Sequence, residues 1–305
     1  MAFAAFSSST TSAAADTSRK KSPVALLLLL PGILYLVLFF LTPLVSLLLT
    51  SLKAPSEFGD FGEFSYAFRW ENYVDVVTAY WPHIIRSFGY AITATFFALI
   101  ISYPLAYFIG VKARRWPLVQ SLALVLIIAP FFISFLLRTL AWKQLFSDES
   151  FLVTSLKAMS LLAPDAHVTG TAFSVIFGLT YNFIPFMTLP LYTTLERLDM
   201  RYLEAASDLY ASPFHVFRKV TIPLSMPGIV AGTLLTFIPA AGDYINASRE
   251  FLGGTGTQMI GNVIEANFLV LQNYPAGAAL SIILMTAILV MVSIYVKKSG
   301  TEELL

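Results

Sequence analysis

The chain has 305 residues, of which 57% are hydrophobic and only 12% are charged, and its mean hydropathy is +0.75. Soluble domains are about 45–50% apolar, so this composition indicates a membrane protein. The formal net charge of +1 argues against nucleic-acid binding, because that needs many cationic side chains to replace counterions on phosphates. The absence of cysteine excludes disulfides and thiolate metal sites. His83, His167 and His215 fit no ligand spacing, and we expect no metal site.

The first 21 residues differ in composition from the rest of the chain. Residues 1–18 are rich in Ser, Thr and Ala and have no usable period, which predicts a disordered tail over residues 1–21. Arg19, Lys20 and Lys21 then precede an apolar run that is too long for the 7–15-residue core of a signal peptide. We therefore expect this run to stay as an anchor, and residues 22–305 to form one transmembrane domain.

The apolar segments predict an all-α membrane protein. A spanning helix needs about 20 mostly apolar residues. Six stretches qualify, at about 24–50, 87–111, 118–138, 172–194, 226–247 and 277–296. Residues 53–83 mix aromatics with acids and glycines, which favours short interfacial helices over a ligand-contacting role.

The distribution of Lys and Arg predicts the orientation of these spans. If the N-terminus lies inside, twelve of the nineteen basic residues fall in inner segments and seven in outer ones. Basic residues concentrate on the cytoplasmic side, so both termini are predicted to be cytoplasmic. The inner set is Arg19, Lys20, Lys21, Lys112, Arg114, Arg115, Arg197, Arg201, Arg218, Lys219, Lys297 and Lys298.

A polar segment at about 197–225 separates the fourth and fifth spans. Leu203, Ala206 and Tyr210 recur at i, i+3 and i+7, which predicts an amphipathic helix of about two turns with these three residues on one face. Ser212-Pro213 is a helix-start signal and predicts a second helix over 213–219. The segment is too polar to cross a bilayer, so we expect a helix–turn–helix on the cytoplasmic face.

The surroundings of this helix–turn–helix leave two roles open from the residues alone. Arg218 and Lys219 favour a segment that lies flat on the membrane. Glu204, Asp208 and the small Ala205-Ala206 surface favour docking into another protein. Pro223 and Pro227 then break the pattern before the fifth span.

The segment resembles the signature loop of permease subunits of ATP-binding cassette importers. That loop reads Glu-Ala-Ala, three residues, Gly, nine residues, Ile-x-Leu-Pro. Glu204-Ala205-Ala206, Val220, Ile222 and Pro223 correspond to it, whereas Tyr210 stands at the glycine. A left-handed turn on a residue with a Cβ costs about 1–2 kcal/mol, so either the turn is built differently or the tyrosine is tolerated. The resemblance implies an ATPase-coupling loop with the residues Glu204, Ala205, Ala206, Asp208, Tyr210, Ala211, Ser212, Pro213 and Pro223.

Further stretches are similar to the first of the two paired permeases of spermidine/putrescine importers. They are APFFISFLLRTLAW at 129–142, YNFIPFMTLPLYTTLERLD at 181–199, IPLSMPGIVAG at 222–232 and the glycine-rich series at 251–282. The resemblance implies the type I importer permease architecture in the bacterial cytoplasmic membrane. It also implies a second permease subunit, two copies of a cytoplasmic ATPase and an extracytoplasmic solute-binding protein. The same architecture carrying another small organic solute, and a membrane scaffold that transports nothing, remain alternatives.

The sequence contains no Gly-x4-Gly-Lys-Ser/Thr phosphate loop. We therefore expect a non-catalytic subunit that binds no cofactor itself, with ATP and Mg used by the partner ATPase. GGTGTQ at 253–258 lacks the lysine and is interpreted as a turn that positions the end of the fifth span.

Polar and aromatic residues in and near the spans are candidates for the translocation pathway, because such groups inside a membrane usually face a cavity or a partner. Asp243 follows two helix interruptions and is either a pathway residue or an interfacial carboxylate. Asn182 either bonds to a neighbouring helix or contacts substrate, and Tyr181 beside it is a further candidate for the pathway. Tyr244 and Trp142 either stack on an alkylammonium group or anchor the interface.

Charged residues near the predicted outer side complete the set. Glu250 and Glu265 either give an entrance negative potential or are solvated loop acids. Arg138 ends the third predicted span, and we expect its guanidinium to snorkel to the outer headgroups.

Overall fold

The computed structural model describes residues 23–55 and 62–299, so the predicted tail at 1–21 lies outside the described residues. In this described part, four helices are long and apolar enough to cross a membrane, and two bent helix pairs raise the number to six if each pair is one span. The four are Leu27–Ser51, Glu71–Arg115, Ala172–Glu196 and Tyr274–Lys298, and the pairs are Pro117–Phe132 with Phe135–Leu145 and Pro213–Leu224 with Met226–Ala241.

The described residues from 23 to 47 belong to a unit of their own. Its described part consists of α1 (Pro23–Leu36), a π-helical turn at Val37–Leu41, and the start of α2 (Thr42–Ser51). At the end of the π turn the Thr42 amide and hydroxyl both donate to the Val37 carbonyl, the hydroxyl at 2.9 Å. The helix passes through the region predicted as the first span at 24–50.

In the second unit, the end of α2 is followed by a small hairpin rather than by interfacial helices. Strand β1 (Lys53–Pro55) pairs antiparallel with β2 (Phe64–Tyr66), and the Lys53 ammonium lies 4.7 Å from the Tyr66 ring centroid. Helix α3 (Glu71–Tyr107) then runs on through a π turn and a 3-10 turn to Arg115. The prediction of short interfacial helices at 53–83 is wrong, because hydropathy detects only the apolar part of a helix that begins well before it.

Helices α3, α7 (Ala172–Glu196) and α11 (Met226–Ala241) pack together as the centre of this unit. Buried residues from all three meet in one core cluster, among them Ala91 and Ala94, Leu179 and Phe183, and Phe237 and Ala240. A second cluster surrounds Met187, Leu191 and Leu195 at the C-terminal half of α7. The core is therefore built along α7.

The third predicted span is broken. Helix α4 (Pro117–Ile128) continues as a 3-10 turn at Ala129–Phe132 and then meets α5 (Phe135–Leu145) at an angle of 95°. Pro130 has no amide hydrogen to donate within a helix, and Ile133 is extended. The apolar run predicted as a span at 118–138 is therefore not one continuous helix. A short helix, α6 (Phe151–Ala158), follows α5.

The last third of the chain also differs from a simple series of spans. Between α7 and α11 lie α8 (Arg201–Asp208), α9 (Pro213–Val216), a π turn at 217–221 and α10 (Ile222–Leu224). Helix α11 ends at Ala241, although its predicted apolar stretch ran to 247, and residues 242–259 are loop. Helix α12 (Ile260–Leu269), which the sequence interpretation left in an outer segment, precedes α13 (Tyr274–Lys298).

Close approach of α11 to α7 depends on two glycines spaced four apart. A Cβ at Gly228 would lie 2.6 Å from the Thr194 hydroxyl oxygen, and one at Gly232 would lie 2.8 Å from the Met187 sulfur and 2.9 Å from the Met187 carbonyl oxygen. Small residues at this spacing let two membrane helices bring their backbones together.

We therefore expect Gly232→Ala to destabilise the protein by about 1–3 kcal/mol, the usual cost of overpacking. The matched control is Gly89→Ala in α3, where an added Cβ meets nothing within 4 Å. Thermal unfolding in detergent should place Gly232→Ala below the parent and Gly89→Ala at or above it, because alanine favours a helix. Equal midpoints for the two variants would contradict this packing.

Candidate functional site

The 197–225 segment follows the C-terminal end of α7 directly. The predicted two-turn helix is present as α8, and the predicted restart is present as α9. The Ser212 hydroxyl accepts a hydrogen bond from the His215 amide at 3.4 Å, as a helix N-cap does. The second helix continues past the predicted end at residue 219 as a π turn through Thr221.

Tyr210 makes the turn between α8 and α9 in the left-handed conformation, with φ of 58°. The Ala211 amide donates to the Ala206 carbonyl at 3.3 Å, and the Tyr210 amide donates to the Ser207 carbonyl at 3.0 Å. This pair of bonds defines a Schellman motif, which usually has glycine at the left-handed position. The left-handed turn is thus kept with a tyrosine at that position.

The Tyr210 side chain is 99% exposed. Its predicted place on one face with Leu203 and Ala206, which are half-buried, is wrong. Helix α8 ends at Asp208, so helical periodicity no longer applies two residues later.

The positive φ of Tyr210 strains the backbone, and substitutions at this position test that strain. Tyr210→Gly should stabilise the turn by about 1 kcal/mol, since glycine adopts a left-handed conformation without the Cβ penalty. Tyr210→Val should weaken it, because a β-branched side chain tolerates positive φ poorly. Hydrogen exchange at the Ala211 amide should be slower in the first variant and faster in the second. The same rate in both would contradict a left-handed turn.

The exposed surface of the 197–225 segment combines acids with apolar side chains. Glu204 and Asp208 are exposed, and their carboxylates make no hydrogen bond or ion pair with any described residue. Leu209 and Phe214 are 82% and 68% exposed. Of the other residues predicted here, Ala205, Ser212, Pro213 and Pro223 are exposed and Ala206 and Ala211 are half-buried. These groups are free to contact another molecule.

Contacts that the sequence interpretation missed fasten this segment to the end of α3. The Phe217 ring meets the Tyr103 and Tyr107 rings edge-on, with centroids 5.5 and 5.8 Å apart. The Tyr103 hydroxyl lies 2.8 Å from the Ser225 hydroxyl. The pairing of Tyr103 and Tyr107 on α3 with Phe217 spans more than a hundred residues, and no local pattern predicts it.

Arg114 holds the other end of the segment. Its guanidinium donates to the carbonyls of Glu196, Leu195 and Leu198, the last two at 3.5 and 3.4 Å. A cation at the last carbonyls of a helix stabilises its C-terminus. The sequence interpretation counted Arg114 only as a basic residue of an inner loop, and the neighbouring Arg115 remains exposed without a hydrogen bond to any described residue.

A buried polar network joins α5, α7 and the loop after α11. The Asn182 amide nitrogen donates to the Thr139 hydroxyl and to the Asn246 side-chain oxygen, both at 3.1 Å. The Asn246 amide nitrogen in turn donates to the Asp243 carboxylate at 3.0 Å, and its backbone amide does so at 2.8 Å. Asn182 therefore bonds to a neighbouring helix, one of the two roles considered for it.

Asp243 is only 7% exposed, so its interpretation as a carboxylate at the headgroups is wrong. The reason is that α11 ends at Ala241 and the following loop folds back onto Gly261 of α12. Its carboxylate is occupied by Asn246, which sequence reasoning missed.

Trp142 and Tyr181 pack against each other and against Phe177. The ring centroid of Trp142 lies 4.6 Å from that of Phe177 and 5.2 Å from that of Tyr181, both edge-on. Both residues are half-buried, and Trp142 borders an apolar cavity of about 580 Å³ that is also lined by Leu152 and Leu156 of α6. The structure thus brings these two predicted residues together in an aromatic cluster.

Tyr244, Glu250 and Glu265 lie in the loop after α11 and on α12. Tyr244 is 46% exposed, and its backbone carbonyl accepts a 2.6 Å hydrogen bond from the side-chain amide nitrogen of Asn262 in α12. Burial and the negative charge of Glu250 raise the pKa of the Glu265 carboxyl above its ordinary value. The Lys143 ammonium donates to the backbone carbonyl of Glu250 at 2.7 Å and leaves its carboxylate free. Two carboxylates that interact unfavourably are an arrangement that a bound cation relieves.

Arg138 does not snorkel to headgroups, and that prediction is wrong. The side chain is 8% exposed and its guanidinium carbon lies 5.7 Å from the Phe135 ring centroid. The snorkelling argument assumed a straight span ending at 138, whereas the chain turns by 95° before Arg138, which lies in the first turn of α5.

Comparison with known proteins adds the family. Residues 102–298 match the family described as binding-protein-dependent transport system inner membrane component. The chain belongs to this family. The match covers the end of α3, the 197–225 segment and nearly all of the chain after it.

Curated relatives of this inner membrane component are transport permeases. This chain is 37% identical over 74% of its length to the spermidine/putrescine transport system permease protein PotB of Haemophilus influenzae, of which 77% is covered. It is 34% identical over 87% of its length to PotB of Escherichia coli K12, of which 94% is covered. Escherichia coli also has a second relative, the permease protein PotC of the spermidine/putrescine transport system, 35% identical over 39% of this chain and 44% of PotC.

Its fold is similar to that of solved transporters. A crystal structure of a bacterial alginate ABC transporter in complex with an alginate pentasaccharide-bound periplasmic protein matches 92% of this chain and 95% of the compared chain, with a TM-score of 0.65. Sequence identity is 16%, so this likeness shows the fold alone. The helical architecture predicted from the resemblance, that of a type I importer permease, is the architecture found.

Proposed function

We propose that this chain is a permease subunit of an ATP-driven importer for polyamines such as spermidine and putrescine. The observation that carries the proposal is the 34–37% identity to PotB permeases over most of the chain. The chain itself performs no covalent chemistry and binds no cofactor, and ATP and Mg are used by a separate ATPase subunit. Both termini face the cytoplasm, as the distribution of Lys and Arg indicates.

The 197–225 segment is the surface that docks the ATPase. The carboxylates of Glu204 and Asp208 have no partner within the described chain, and Leu209 and Phe214 are exposed, so the segment fits a soluble protein better than lipid. Movement of the docked ATPase passes to α3 through Phe217 and to α7 through Arg114, because these two residues fasten the segment at both ends. The exposed Tyr210 stands at the tip of the turn and belongs to the contact surface.

The importer contains a second permease subunit, two copies of the ATPase and an extracytoplasmic solute-binding protein. Support for the pairing comes from the two Escherichia coli relatives, PotB and PotC, which are named as permeases of one transport system. The solute-binding protein delivers the polyamine to the end of the bundle that carries α12. Glu265, Glu250 and Tyr244 then attract the cation, since two carboxylates and an aromatic ring favour an alkylammonium group.

Removing one of these charges should weaken uptake without stopping it. Glu265→Gln is expected to raise the KM for spermidine about 3- to 10-fold with little change in kcat, because it lowers the negative potential at the entrance. Glu149→Gln is the control, since it removes the same charge from an exposed residue of the turn after α5 whose side chain makes no hydrogen bond with a described residue. A KM raised equally by both changes would argue against a specific entrance.

Uptake of radiolabelled spermidine in cells with and without this chain tests the assignment of substrate. We expect ATP-dependent uptake that unlabelled putrescine reduces. Uptake that is the same in both cells would exclude polyamine import by this chain.

A further inference from the structure

Arg138 is a buried cation without a counter-ion among the described residues. It is 8% exposed, and none of its three side-chain nitrogens makes a hydrogen bond or ion pair with a described residue. Its Nε and Nη1 atoms are fully buried. A buried charge that lacks a partner is costly, so such groups are normally paired. The described chain offers no carboxylate to Arg138, and the partner must come from elsewhere.

The surface around Arg138 also needs to be covered. The chain between α4 and α5 is non-helical at Ile133 and Ser134, and the two helices meet at 95°. Within a bilayer, non-helical backbone is tolerated only where protein covers it or where it lines an aqueous cavity. Large apolar side chains nearby are exposed, with Phe132 at 87% and Leu137 at 60%. We call residues 131–140, which include Arg138, the α4–α5 surface.

We propose that the second permease subunit packs on the α4–α5 surface and brings an Asp or Glu whose carboxylate pairs with Arg138. This inference rests on the proposed pairing of permeases. Charge complementarity decides the occupant: the cationic substrate cannot neutralise a guanidinium, and an uncompensated Arg138 would repel it strongly in a medium of low dielectric constant. The Nη2 atom is the one guanidinium nitrogen that is not fully buried, and a carboxylate that accepts from it supplies the missing opposite charge.

The test uses the complete transporter, with an affinity tag on this chain and recovery of the second permease as the readout. Arg138→Met should reduce recovery of the second permease by about 30-fold or more, because it leaves the partner carboxylate buried and unpaired. Arg138→Glu should reduce recovery of the second permease further, whereas Arg138→Lys should retain part of that recovery. Arg115→Met is the control, since Arg115 is exposed and unbonded to any described residue, and it should leave recovery unchanged.

A second arm does not depend on how well the neutral variant folds. Each intramembrane Asp and Glu of the second permease is changed to Arg, one at a time, in combination with Arg138→Glu. One of these reversed pairs should restore recovery. Restoration by none of them, or full recovery with Arg138→Met, would overturn the proposal.

Other occupants give different results, each of which also overturns the proposal. If an anionic phospholipid occupies the surface, Arg138→Met loses that lipid in mass spectra of the complex and keeps the second permease. If a second copy of this chain occupies it, the purified complex contains two copies. Spermidine uptake by the unaltered complex is measured in parallel, so that failure of the polyamine assignment is distinguished from failure of the ion pair.

Discussion

Glu204→Lys is expected to abolish association with the ATPase while the permease still folds and inserts. The Glu204 carboxylate contacts no described residue, so its reversal removes nothing that holds the described chain together. At a docked interface, a reversed charge faces groups that were selected for the opposite sign, and such juxtaposition costs several kcal/mol. We expect the amount of ATPase that co-purifies with the tagged permease to fall by more than about 30-fold.

The control for this variant is Asp165→Lys, which reverses an exposed acid, unbonded to any described residue, in the loop before the opposite end of α7. Its ATPase content should equal that of the parent. Thermal unfolding of both variants in detergent should be unchanged. Normal co-purification of the ATPase with Glu204→Lys would show that the 197–225 segment is not the docking surface.

Asn246→Leu is expected to cause the largest loss of stability among single changes within the described chain's polar network. The leucine has similar size but leaves the buried Asp243 carboxylate without its side-chain donor and removes an acceptor from Asn182. Removing one donor to a buried carboxylate and one acceptor of a buried amide together should cost about 2–5 kcal/mol, although Asp243 keeps the backbone amide of residue 246 and Asn182 keeps Thr139. The unfolding temperature in detergent should fall accordingly.

A double variant distinguishes the loss of hydrogen bonds from the loss of packing as the cause of the lower stability. In Asp243→Ala with Asn246→Leu, the charge that needs the donor is gone, so the loss of stability should be smaller than the sum of the two single losses. Strict additivity, or an unfolding temperature of Asn246→Leu equal to that of the parent, would show that these hydrogen bonds contribute little.

Hydropathy predicts the apolar helices well and their interruptions poorly. The apolar runs at 172–194 and 277–296 correspond to α7 and α13, because a long apolar helix needs no tertiary contact to be recognised. The break at Ile133 lies within a run that stays apolar, so mean hydropathy does not change there, whereas α11 ends at Ala241, directly before Gly242 and Asp243, inside the stretch that was counted as a span. Such bends depend on packing against other helices.

The errors in the candidate sites follow from the same limit. Asp243 and Arg138 were placed by counting residues along straight spans, and both spans bend or end early, so both side chains are buried. Local signals did better in the 197–225 segment, where the Ser212-Pro213 start is correct. Tyr210 was misplaced because periodicity does not indicate where a helix stops. The contacts of Arg114 and Phe217 and the hydrogen bond between Asn246 and Asn182 join distant parts of the chain, and no local pattern predicts them.

The central claim is that this chain forms a polyamine pathway driven by a docked ATPase, and transport in proteoliposomes tests it most directly. The complete transporter and its solute-binding protein are reconstituted with ATP on the ATPase side, and accumulation of labelled spermidine is measured. We predict accumulation against a gradient that requires ATP and is lost with Glu204→Lys. Absence of spermidine accumulation by the unaltered complex, or accumulation that persists with Glu204→Lys, would contradict the account.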